Sequence, residues 1–185
     1  MSARGVNEKG SASKLAESLR IVLKTGAVNL GDMKTGNIHR VDPEEIIRHI
    51  DDRSIVHGVF TNKEDLTKLL CALKDADLGM SVVVSGLFDE VFEAVREAGL
   101  KPHSVNISLG VWGKRELLPK EEYLKISTMC GHGMISPFLI EKLVDDVKKG
   151  GVTVDEAGRK LAECCVCGVF NPVRAAKLIR RLAGT

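Results

Sequence analysis

The sequence has no excess of charge of either sign. Its 27 Lys and Arg against 25 Asp and Glu leave a net charge of +2. That is too little to argue for nucleic acid or an anionic membrane surface as a partner. It also lacks a long apolar run, since no stretch approaches the ~20 residues a membrane helix needs. The opening residues, MSARGVNEKGSASK, hold neither the apolar core nor the cleavage pattern of a secretory leader. A cytoplasmic protein is therefore expected. There is no Gly-x-Gly-x-x-Gly and no Walker loop, so nothing supports nucleotide binding. No internal repeat is present. With 44% hydrophobic and 28% charged residues in 185, the chain has an ordinary globular composition and length enough for one substantial core.

What the chain does hold is an uneven distribution of thiols. Five cysteines occur, three of them in AECCVCGVFNP at 162–172 and a fourth in TMCGHGMISP at 128–137. In a reducing compartment such thiols read as ligands or reactive groups before disulfides. Cys71 lies within a helical segment and reads as packing.

The organisation expected from periodicity and punctuation has three parts. Residues 1–13 form a flexible N-terminus. Residues 14–125 form an α/β domain. It opens with a helix over 14–24, followed by a glycine-punctuated loop or irregular hairpin over 25–41. A helix capped by Asp42-Pro43 comes next. Apolar runs at 54–60, 80–85 and 103–109 then alternate with helices, the first of these capped by Thr61 and Glu64. That order predicts a small, mostly parallel sheet of at least three strands with right-handed crossover helices. Val105, Ile107 and Leu109 alternate with Ser104, Asn106 and Ser108, as in an edge strand or one lining a crevice. A short strand is expected at 126–130. Residues 126–185 form a helical, cysteine-containing region: an αα-hairpin from Ser136-Pro137, reversed at Gly150-Gly151 and recapped by Thr153 and Glu156, then a final helix from Asn171-Pro172.

Length arithmetic brings the cysteines together. The helix after Pro137 rises roughly 20 Å, and its successor returns most of that distance. Cys164, Cys165 and Cys167 then come back beside Cys130. Two helix N-termini start there, at 136–137 and 171–172, and both favour anions. A thiolate-bound [4Fe–4S] cluster is an anionic unit whose sulfurs accept N–H bonds. Cys130, Cys165 and Cys167 are the expected ligands, because adjacent residues such as Cys164 and Cys165 point apart. Cys164 or His132 would complete the set, or one iron would stay open to substrate.

This composition points to a cytosolic iron–sulfur protein acting in redox or Lewis-acid chemistry. Its partner would be an anionic small molecule or an electron-transfer protein; the basic face Arg174, Lys177, Arg180 and Arg181 would suit an acidic one. His132 and Ser85 are the candidate catalytic side chains, Ser85 because ligands bind at the carboxyl ends of strands in open α/β sheets. The alternatives are a zinc-stapled interaction module, a metal-free thiol enzyme or redox sensor using Cys130, and cysteines that act only as small buried hydrophobes. His57, within the first apolar run, reads as a satisfied core or edge histidine.

Overall fold

The computed structural model describes residues 1–184. Helices dominate: α1 (Ala12–Lys24), α2 (Pro43–Arg48), α3 (Lys63–Ala76), α4 (Phe88–Glu97), α5 (Glu121–Ser127), α6 (Pro137–Lys148), α7 (Val154–Glu163) and α8 (Pro172–Ala183). A short 3-10 turn spans Arg115–Leu117. Three short strands, β1 (Asn29–Asp32), β2 (Gly36–Asn37) and β3 (Val56–Val59), form one sheet in the order β2-β1-β3.

The mostly parallel sheet with crossover helices is not what the chain forms. Both strand pairs are antiparallel, Gly31 opposite Asn37 in one and opposite His57 in the other. Of the three expected strands only part of 54–60 pairs, and its partner is the glycine-rich stretch read as a loop or hairpin. Residues 80–85 and 103–109 join no ladder. The reason lies in α3 and α4, which pack on each other instead of crossing a sheet. Leu70 of α3 meets Ala94 and Ala98, and Lys63 pairs with Glu93 at 2.8 Å. With the two helices joined directly, the runs around them have no sheet to enter. Val83, Ile107, Leu109 and Trp112 stay exposed. Residues 126–130 also differ from expectation, since Ile126 and Ser127 end α5 and a turn follows.

The caps are mostly local chemistry and mostly as read. Asp42 accepts from the Glu44 amide with Pro43 at the first helical position. Thr153 and Glu156 close a reciprocal capping box on α7. Asn171 accepts from Arg174 N at 2.9 Å and opens α8. The α3 cap moves by one residue: Asn62, not Thr61, accepts from Asp65 N.

Two cores result. Leu19, Val22, Leu30, Ile46 and Leu69 gather α1, α2, α3 and the sheet. Ile126, Ile135, Ile140, Leu161, Phe170 and Ile179 gather α5 to α8. Cys130, Cys165 and Cys167 belong to the second core, whereas Cys71 packs beside Leu70 and Ala94. No helix among the described residues is long and apolar enough to cross a membrane.

Candidate functional site

The cysteines come from two turns. Cys130 follows α5 in a turn closed by Gly131 N donating to Thr128 O at 3.0 Å. Cys165 and Cys167 lie in the α7–α8 connection, where Cys165 N donates to Ala162 O and Gly168 N to Cys165 O at 3.1 Å. All three thiols are buried, Cys165 completely. None forms a disulfide. The sulfurs of Cys165 and Cys167 are 3.6 Å apart, and His132 Nδ1 lies 3.3 Å from Cys167 Sγ.

The α7–α8 connection rests on the sheet, and the strand alternation explains how. Leu30 and Gly58 face α1, where a Cβ on Gly58 would strike Val22. Asn29, Gly31, Asn37 and His57 share the opposite face. That face is a polar floor under the cysteine turn. Asn37 Nδ2 donates to Cys165 O at 2.7 Å and to Ala162 O at 3.1 Å. Asn29 Nδ2 donates to Phe170 O at 2.8 Å. Both asparagines are fully buried. Two glycines permit the approach. A Cβ on Gly168, whose φ is +77°, would lie 2.5 Å from the Gly31 nitrogen, and one on Gly31 would lie 3.0 Å from Cys167 O. The hairpin thus holds the cysteine turn by its backbone carbonyls.

Electrostatics follow from burial. Burial pushes the Cys165 thiol up to about 12, and the neighbouring charges of Cys167 and Cys130 push the same way. A thiol in that setting ionises only if a cation arrives. Burial likewise holds His57 below the usual histidine range, opposed by the Cys167 backbone and reinforced by His132. Nδ1 of His57 is buried and has no hydrogen-bond partner among the described residues.

The remaining candidates separate from this group. Cys164 is partly exposed and its sulfur turns back to Lys160 O at 3.7 Å. Burial and Glu163 raise its thiol, with Arg40 opposing. Ser85 is exposed in the irregular stretch before α4, so the strand end that motivated it is absent, and it does not cap that helix. Arg174, Lys177, Arg180 and Arg181 lie exposed on α8. Asn29, Asn37 and His57 were not singled out as site residues from the sequence. Only two asparagines among glycines hinted at them, and a hairpin alone gives them no partner.

Among the described residues no three His, Cys, Asp or Glu side chains already stand at metal-binding distances. The site consists of two close pairs that share Cys167. Two thiolates on one tetrahedral metal at about 2.3 Å would be about 3.8 Å apart, close to the Cys165–Cys167 spacing. The ligand sulfurs of a cubane cluster spread to roughly 7 Å, so a cluster needs the turns to part. Residues 131–134 are exposed, and a Cβ on Gly131 or Gly133 would touch nothing within 4 Å. That loop has space to move outward. Comparison with protein-family models, curated proteins and solved structures finds no match for this chain.

Proposed function

We propose that this chain is a metal–thiolate protein in which Cys130, Cys165 and Cys167 hold a [4Fe–4S] cluster. The observation that carries the reading is the burial of these three thiols in one core, delivered by two separate turns, with His132 on the Cys167 sulfur. Thiols used only as packing need no imidazole and no floor of buried asparagines. A cluster supplies one-electron transfer, or Lewis-acid chemistry on an anionic small molecule if three-cysteine ligation leaves an iron open.

The chain's own residues divide the remaining work. Asn37 and Asn29 hold the carbonyls of the cysteine turn, so the turn is set before any metal binds. His132 either donates to the Cys167 sulfur or swings to complete the ligand set. The apolar residues packed with the three cysteines, Ile126, Ile135 and Phe170, exclude water from the thiols, whereas His132 is exposed. Ser85 has no part in this reading.

A second reading has its own support. The 3.6 Å and 3.3 Å spacings at Cys167 match the edges of a tetrahedron around one zinc ion better than a cubane. Zinc would then fasten α5 to the α7–α8 turn as a structural staple. A thiol enzyme built on Cys130 is less well supported, because the hydrogen-bonded thiol–imidazole pair is Cys167 with His132.

Anaerobic purification with metal and sulfide analysis separates these. The cluster predicts brown protein absorbing near roughly 400 nm, with about four iron and four sulfide per chain. One zinc per colourless chain supports the staple. Absence of any metal after reconstitution with iron and sulfide removes both.

A further inference from the structure

The stretch HSVNISLGVW at 103–112 has the pattern of a strand and none of a strand's partners. Every residue from Lys101 to Leu118 is exposed. Among the described residues, no backbone group between Lys101 and Trp112 is hydrogen-bonded to another backbone group. In an extended chain Val105, Ile107, Leu109 and Val111 share one face, with Ser104, Asn106 and Ser108 on the other. Ile107 is 66% exposed, and Leu109 and Trp112 are each 81% exposed. Such side chains favour paired strands, and an unpaired run of them is a template for another chain. With Leu117 and Leu118 the segment's apolar residues expose on the order of 800 Å², the share one partner contributes to a standard interface and more than the largest patch on a typical monomer. A second exposed stretch leaves the same place. Val84 and Leu100 both pack on Leu70, Ala94 and Ala98, and Val82, Val83 and Leu87 before α4 are exposed.

The pattern also points to the partner. Laid antiparallel on a copy of itself about Ile107, the segment sets Ile107 opposite Ile107, Val105 opposite Leu109 and Asn106 opposite Ser108. Apolar then meets apolar and polar meets polar in one two-fold register, as an isologous interface requires. We propose that this chain forms a symmetric dimer in which residues 103–109 pair antiparallel with the same residues of a second copy. Pairing satisfies the free backbone groups, and the apolar row of the two-stranded ribbon packs on the stretch around Val83 and Leu87. The dimer goes beyond the cysteine reading and does not depend on it.

The test is sedimentation of the full chain over a range of concentrations, as wild type, Ile107→Lys and Asn106→Lys. An interface of standard size associates at micromolar concentration or below, so the wild type should sediment as a dimer there. Ile107→Lys sets two like charges opposite each other in the apolar row and should weaken association roughly a hundredfold or more. Asn106→Lys changes the other face of the strand and should leave the dimer in place. Ile107 belongs to none of the buried clusters, so helix content by circular dichroism should be the same in all three proteins. A wild type that stays monomeric at micromolar concentration overturns the proposal and leaves the segment to a different protein. A dimer that survives Ile107→Lys, or that both substitutions abolish equally, overturns it as well, since the apolar row then does not make the contact. Loss of helix content in Ile107→Lys also overturns it, because the residue would then be packed within its own chain.

Discussion

The side-chain amide of Asn37 donates to the backbone carbonyl of Cys165 at 2.7 Å, across 128 residues of sequence. It donates again to Ala162 O. Both carbonyls also take part in the turn that carries the thiols. One buried side chain therefore couples the N-terminal hairpin to the cysteine turn, which makes the hairpin part of the site.

Replacing Asn37 by Ala should destabilise the fold by about 1–3 kcal/mol, the usual cost of losing buried hydrogen bonds. It should also speed release of bound metal to a chelator, because the turn loses its clamp. Urea unfolding of metal-free protein and chelator-release kinetics of loaded protein measure the two effects. Wild-type values in both would show that the clamp carries no energy.

Two glycine substitutions make an internal comparison. Gly133 has φ +66° and open space around it, so Gly133→Ala should cost only about 1–2 kcal/mol of backbone strain. Gly168 adds a collision with the backbone of Leu30 and Gly31. Gly168→Ala should exceed about 3 kcal/mol, strain and overpacking together. Thermal or urea denaturation ranks them; equal losses would mean that the sheet does not seat the turn.

Single Ser substitutions should sort the five cysteines. Changes at Cys130, Cys165 or Cys167 should strongly reduce bound metal per chain. Changes at Cys71 or Cys164 should leave it intact, since Cys71 packs in a different cluster and Cys164 turns back to Lys160. Metal analysis of the five reconstituted variants decides this, and a requirement for Cys164 would redraw the ligand set.

Acid should weaken the fold through His39. Its ring is held below the usual histidine range, chiefly by burial, with the Val28 backbone and Glu163 opposing and Arg159 adding to the effect. Nε2 of His39 is buried without a partner. The unfolded chain binds that proton more readily, so stability is full above about pH 6.5 and falls as the pH drops through the window below it. His39→Gln should flatten that part of the curve. Paired carboxylates such as Asp51 and Glu156, held low by their hydrogen bonds, act only in a more acidic window. Urea midpoints at about pH 7 and about pH 5.5 for the two proteins test this; parallel losses would exclude His39 as the source.

The sequence by itself determined the features that depend on near neighbours. Helix caps at Asp42, Thr153 and Asn171 need only residues two or three positions away. The return of Cys165 and Cys167 to the core containing Cys130 needs only the lengths of α6 and α7 and the reversal at Gly150-Gly151. Strand pairing is different, because an apolar run such as 80–85 or 103–109 states a propensity and leaves its partner unnamed. Only the tertiary structure decided that α3 and α4 would pack on each other, that 29–32 would take the place beside β3, and that the sheet would be antiparallel. It also decided the roles of Asn29 and Asn37. Each donates to a backbone carbonyl more than a hundred positions away, and no local period in a sequence encodes such a contact.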